Sequence, residues 1–180
     1  VKAIRLKDGS SYIGEVKGKR PHGQGKQVFP NGDIYEGTFV KGKMHGKGKY
    51  RFHDGETYDG DFLDGRQHGK GVYHFLDGKC YDGEWYCDYQ QGYGKMTYPN
   101  GDIYSGSWVE DKREGAGSYF YANGASYVGE WKNDVHEGMG TFIWSDNSKY
   151  IGMWKNNLRE GKGTYTFAEG ATYVGDWKND

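Results

Sequence analysis

Little of what usually builds a protein interior is present in this chain. Of its 180 residues only 34% are apolar of any kind, and half of that fraction, 17%, is aromatic. A compact globule of this length normally carries more Leu, Ile and Val. Two cysteines, Cys80 and Cys87, exclude a disulfide framework. Three prolines exclude a proline-rich linker. No signal peptide or amphipathic targeting helix is legible, and no apolar run is long enough to span a bilayer. The expected compartment is therefore cytoplasmic. What is present instead is 32 Gly, 17 Tyr, 8 Phe and 6 Trp. A disordered chain does not carry rings at that density, and flat rings suit pleated strands better than helices.

The formal net charge of −1 hides an asymmetry. Residues 1–51 hold twelve Lys and Arg against Asp8, Glu15, Asp33 and Glu36, whereas residues 52–180 hold twelve against twenty-one acids. A charge distribution of this kind steers acidic partners or anionic membrane toward one end.

The chain repeats itself. Tyr-x-Gly recurs at Tyr12, Tyr35, Tyr58, Tyr81, Tyr104, Tyr127, Tyr150 and Tyr173, always 23 residues apart. Gly37, Gly60, Gly83, Gly106, Gly129 and Gly152 are glycines of that motif. Two residues beyond each glycine stands Val16, Phe39, Phe62, Trp85, Trp108, Trp131, Trp154 or Trp177. Gly-x-Gly pairs begin at Gly23, Gly46, Gly69, Gly92, Gly115, Gly138 and Gly161, and further rings follow at Phe29, Phe52, Phe75, Tyr98, Tyr121, Trp144 and Phe167. Asn-Gly or Asp-Gly closes most units, as at Asn31-Gly32 and Asp77-Gly78.

This pattern resembles the MORN repeat (membrane occupation and recognition nexus) family over essentially the whole chain, with seven full units and one partial unit. The resemblance implies an all-β fold, an elongated single antiparallel sheet of tandem hairpins. Its functional implication is looser, because the family includes cytoskeletal scaffolds, junctional membrane tethers and appendages of larger enzymes such as lipid kinases. The array occupies 1–180 without interruption and stops in mid-pattern, so a fragment of a longer protein is expected.

The residues give the same fold independently. Alternation in Tyr81-Asp82-Gly83-Glu84-Trp85 and in Gly92 to Tyr98 marks two strands per unit. Placing each ring beside bare glycine backbone sets Trp85 opposite Gly71 and Gly94, and Tyr81 opposite Phe75 and Tyr98. That register predicts an odd, three-residue turn with a left-handed glycine at Asp77-Gly78. It predicts a longer, polar connection from Tyr86 to Gln91. Two strands at about 4.8 Å each advance the array by about 9.6 Å per unit.

The opposite face is where function is expected. In the first half it is charged. In the second half the equivalent positions include Phe120, Val128, Met139, Ile143, Ile151, Met153 and Val174, and apolar residues left in water mark an interface. A homodimer through this face is the first expectation, within a cytoskeletal or membrane-linked protein complex. The second is a phosphoinositide site formed by Lys17, Lys19, Arg20, Lys26, Lys41, Lys43, Lys47, Lys49 and Arg51. No nucleophile–base arrangement supports catalysis, so no enzyme is expected. His22, His45 and His68 stand one unit apart, too far to share a metal with bonds of about 2 Å. No cofactor is expected either, the one metal arrangement weighed being His68 and Cys87 from two subunits sharing zinc. The glycine pairs lack the strand–loop–helix context of a nucleotide site. Nucleic acid is not an expected partner, because the rings are committed to packing within the sheet.

Overall fold

The computed structural model covers Val1–Asp180 and contains no helix. Sixteen strands follow one another in a single antiparallel sheet in chain order. They fall into two compact units, Val1–Tyr89 and Gln90–Asp180. The first unit holds β1 (Lys2–Arg5), β2 (Ser11–Lys17), β3 (Arg20–Val28), β4 (Ile34–Val40), β5 (Lys43–Arg51), β6 (Thr57–Leu63), β7 (Arg66–His74) and β8 (Cys80–Tyr86). The second holds β9 (Tyr89–Thr97, its first residue belonging to the first unit), β10 (Ile103–Val109), β11 (Lys112–Phe120) and β12 (Ser126–Lys132). It continues through β13 (Val135–Ile143), β14 (Lys149–Lys155), β15 (Leu158–Thr166) and β16 (Thr172–Trp177).

The hairpin register differs from the sequence expectation by two residues. Tyr81 faces Tyr73 rather than Phe75, Gly83 faces Gly71, and Trp85 faces Gly69. The cause lies in the turn. Phe75 has already left the strand: its N–H donates to the Lys79 carbonyl at 3.0 Å, and its carbonyl accepts from Gly78 N–H at 3.1 Å. The loop is therefore Leu76-Asp77-Gly78, three residues with Gly78 at φ +95°, as the odd turn required. The Asp77 carboxylate accepts from Lys79 N–H, an Asx turn repeated at Asn31, Asp54, Asn100, Asn123 and Asp146. A two-residue shift exchanges partners but preserves faces, so every ring stays on the side assigned to it.

The other connection is tight rather than long. Val40 pairs with Lys43 and Leu63 with Arg66, leaving two-residue turns. Both central residues have positive φ, as at Lys41 (52°) and Gly42 (87°), or Glu110 (46°) and Asp111 (67°). Those angles define the turn that matches the right-handed twist of a hairpin. Ahead of it the register slips: Gly60 faces Gly71, yet Phe62 faces Gln67. The bulge arches at Gly69 (φ +74°), and the Asp61 carboxylate accepts from Lys70 N–H at 3.0 Å.

Glycine faces glycine so that tyrosine can lie flat. A Cβ on Gly48 would stand 2.3 Å from the Tyr35 ring, and one on Gly71 equally close to Tyr58. Each ring runs along its own strand over that bare pair, and its hydroxyl donates to the carbonyl three residues on, at 2.9 Å for Tyr35 and 2.8 Å for Tyr58. The next aromatic along the strand meets the ring edge-on, and the aromatic one repeat later closes its other side. Tyr58 lies 5.1 Å from Phe62 and 5.3 Å from Trp85, and Tyr127 lies 5.2 Å from Trp131 and 5.5 Å from Trp154. Such edge contacts contribute about 0.5–1.5 kcal/mol each beyond burial. The second residue after each tight turn then covers the rings: Gln67, Gln90 and His136 are buried there, and His136 stacks on Tyr127 at 3.7 Å. Tyr35, Tyr58, Tyr104, Tyr127 and Tyr150 are consequently 0% exposed. Interior is made within one layer by rings, glycines and the arch of each bulge.

Candidate interaction surfaces

The aromatic face is committed largely to packing, which leaves its opposite side to be specialised. Cross-strand register assembles that side into rows. In the first unit one row runs Ile13, Lys26, Glu36, Lys49, Asp59, Val72, Asp82. Its charges alternate and pair, Lys26 with Glu36 at 3.9 Å and Lys49 with Asp59 at 3.4 Å. Beside them Lys47 pairs with Asp61 at 2.5 Å. Opposite charges in adjacent strands stabilise a solvated sheet face.

In the second unit the same row carries one charge, Lys95 opposite Ser105, and none beyond it. It runs Ser105, Ser118, Val128, Thr141, Ile151, Thr164, Val174. Met139 faces Met153 beside it, and Phe120 and Ile143 flank Ser126. All seven residues picked out from the sequence are exposed here, from 36% at Ile143 to 74% at Val174. The register brings them onto one face of neighbouring strands.

The nine basic residues do not form a single cluster. Lys26, Lys47 and Lys49 are committed to the ion pairs above, and Arg51 stands between Ile34 and Thr57. Lys17, Lys19, Arg20, Lys41 and Lys43 do gather, at the first two tight turns, all exposed and none ion-paired. Gly42 N–H donates to the Pro21 carbonyl at 2.9 Å, which holds the second turn against the first.

The histidines serve those turns. Lys41 N–H approaches His22 Nδ1 at 3.5 Å, and Cys87 N–H approaches His68 Nδ1 at 3.4 Å. His68 and Cys87 thus meet, but what joins them is a backbone hydrogen bond. Nowhere do three His, Cys, Asp or Glu side chains converge as metal ligands would.

Sequence reasoning missed a set of staples between consecutive repeats. The second turn residue reaches back 21 positions, its side-chain oxygen accepting from Gln67, Gln90, Arg113, His136 and Arg159 N–H. Those acceptors are Asp88, Asp111, Asp134, Asn157 and Asp180, and their recurrence at the repeat period was the available signal. Arg113 also sets its guanidinium 4.7 Å from the centre of the Trp131 ring. Burial and the Arg113 charge push the His136 imidazole down to about 4, and its Nδ1 has no partner.

The MORN repeat family model matches seven consecutive stretches, 12–34, 35–57, 58–80, 81–103, 104–126, 127–149 and 150–172. Among solved structures the chain is similar to the TCP domain of Drosophila melanogaster SAS-4 (dCPAP), solved in complex with a proline-rich motif of Ana2 (dSTIL). The TM-score is 0.55 at 11% identity, covering 98% of this chain and 90% of that one. The CPAP G-box domain gives a TM-score of 0.48 at 13% identity, covering 98% and 99%. The TCP10 domain of Danio rerio CPAP gives 0.29 at 13%, covering 97% and 94%. At these identities likeness speaks of fold alone. No curated protein matches the chain by sequence.

Proposed function

The chain belongs to the MORN repeat family, and on that premise we propose that it is a non-catalytic interaction scaffold. It pairs with a second copy through the outer face of its second unit and joins a cytoskeletal or membrane-linked assembly. The observation that carries this reading is the uncharged row from Ser105 to Val174, built on the backbone that elsewhere presents Lys26, Glu36, Lys49 and Asp59. Exposed Val, Ile and Met side by side gain from leaving water, about 25 cal/mol per Å² of apolar surface buried. A patch of this kind on one copy is self-complementary under a two-fold axis. The TCP domain that shares this fold is solved with a partner motif bound, which supports an open sheet acting as a platform. The test is mass by light scattering. Replacing Ile143, Ile151 and Met153 with Lys reduces a dimer to a monomer; an unchanged mass counts against pairing through this face.

A second reading rests on the turn cluster. Lys17, Lys19, Arg20, Lys41 and Lys43 offer unpaired positive charge to an anionic headgroup, worth about 1 kcal/mol each near a membrane surface. Binding of this kind is salt-sensitive. Sedimentation with phosphoinositide vesicles at low salt shows it, and loss of binding in the five-fold Ala variant assigns it; no sedimentation at low salt removes it.

A further inference from the structure

The aromatic side of the second unit is not closed everywhere. A groove of about 470 Å³ is lined by Tyr121, Trp131, Phe142, Trp144 and Trp154 between Arg113 and Arg159. Each arginine brings its own counter-charge, Arg113 Nε lying 3.1 Å from Asp134 and Arg159 Nε 3.0 Å from Asp180. His136 in its wall is buried and neutral. The groove thus sets aromatic rings among polar groups whose charges are paired, and its complement is an uncharged segment.

Two ring donors in it lack acceptors. Five of the six indoles donate to a glycine carbonyl: Trp85, Trp108, Trp131, Trp154 and Trp177, at 3.0–3.3 Å. Trp144 makes no such bond, and neither does the Tyr121 hydroxyl. Tyr121 and Trp144 occupy the same position in successive repeats, where the first unit has Phe29, Phe52 and Phe75. Tyr121 and Trp144 therefore present donors in two successive repeats along an aromatic-lined groove. Free donors at a regular spacing call for a ligand whose backbone carbonyls are unpaired and recur at that spacing.

Pitch selects the ligand. Successive repeats advance by about 9.6 Å. A polyproline II helix rises about 9.3 Å in its three-residue turn and makes no internal hydrogen bonds. A β-strand turns the same side outward about every 6.7 Å and an α-helix has a pitch of about 5.4 Å with its carbonyls bonded internally, so both fall out of step. We infer that this groove binds an uncharged, proline-rich segment in the polyproline II conformation, with carbonyls three residues apart accepting from Tyr121 and Trp144 and prolines lying on the rings between them. Aromatic-lined grooves elsewhere use this preformed helix in the same way. The site lies on the side of the sheet opposite the pairing surface, so the two readings fail separately.

Decaproline, titrated into the protein and followed by tryptophan fluorescence and calorimetry, tests the inference. Saturable binding is expected, with none for a Gly-Ser peptide of equal length. Trp144→Phe with Tyr121→Phe removes only the donors and installs rings this position already accepts at Phe52 and Phe167. Two lost hydrogen bonds weaken binding by at least about tenfold. Ile151→Lys on the other face leaves affinity unchanged. No saturation at millimolar peptide, equal binding of the Gly-Ser peptide, or wild-type affinity in the double variant each overturns the inference.

Discussion

The two units share a backbone plan and differ in what it carries. Both lay tyrosines over paired glycines, both turn on two-residue positive-φ hairpins, and both cover the rings with the second residue after that turn. In the first unit the outer row is charged and self-paired, the strand-end ring is phenylalanine at 39 and 62, and the turns at 42 and 65 end in glycine, the other pattern beginning only with Trp85 and Asp88 at its end. In the second the outer row is uncharged beyond Lys95, that ring is tryptophan bonded to a glycine carbonyl, and the turns end in Asp or Asn that staple the preceding repeat. The positions that make the sheet are nearly invariant between the units, and the positions it leaves free are where they diverge. The aromatic side carries the shared framework, and the outer side is where the two units differ most.

The comparison breaks most severely at the glycine pairs. Gly71→Ala and Gly117→Ala each drive a methyl into a tyrosine side chain whose nearest atom lies 2.3 Å from that point. Overpacking without relief costs about 3–5 kcal/mol, equally in both units, and urea unfolding followed by fluorescence measures it. A loss below 1 kcal/mol at either site would refute the shared framework.

Acid separates the units. The His136 imidazole sits near 4 when folded, below its ordinary value of 6.5, so the unfolded chain binds the extra proton. The stability it withholds from the charged form is fully present above pH 6.5 and lost progressively as pH falls toward 4, roughly 3 kcal/mol in all. The equivalent residues of the first unit, Pro21, Met44 and Gln67, do not titrate. Amide exchange at pH 7 and pH 4.5 is expected to show weakened protection around β12 to β14, and His136→Gln to abolish that difference.

Smaller effects sharpen the contrast in both directions. Trp131→Phe removes the 3.1 Å bond to the Gly117 carbonyl and costs about 1–2 kcal/mol, whereas Phe62→Trp adds the missing bond and stabilises by up to about 1 kcal/mol. Asp134→Ala removes the acceptor for Arg113 N–H and Nε–H, and Gly65→Asn installs a staple where φ is already +90°. Each shifts stability by about 1 kcal/mol, in opposite senses. Thermal melts resolve both.

These contrasts also mark what the sequence made legible. Repeat period, strand alternation and face assignment follow from Tyr81, Gly83 and Trp85 recurring every 23 residues, because period two fixes a face whatever the register. Register did not follow, since Phe75 reads as a strand residue until its N–H is seen bonded to Lys79 inside the turn. The tight turn at Cys87-Asp88 was hidden for a related reason. Non-glycine residues seldom take positive φ, and here the angle is held by Cys87 N–H donating to His68 Nδ1 and by reciprocal hydrogen bonds between Asp88 and Gln67, partners distant in sequence. The apolar outer face was visible as composition; that its members form one row depended on Val128 facing Thr141 and Thr141 facing Ile151.

The most direct test exchanges the two outer faces. Val128→Glu, Thr141→Lys and Ile151→Asp copy Glu36, Lys49 and Asp59 onto the equivalent positions of the second unit. Sedimentation equilibrium on this triple variant is predicted to give the monomer mass where the parent gives twice that value, with an unchanged melting temperature for the monomeric sheet. A variant that sediments with the parent's mass would contradict the assignment of recognition to this face.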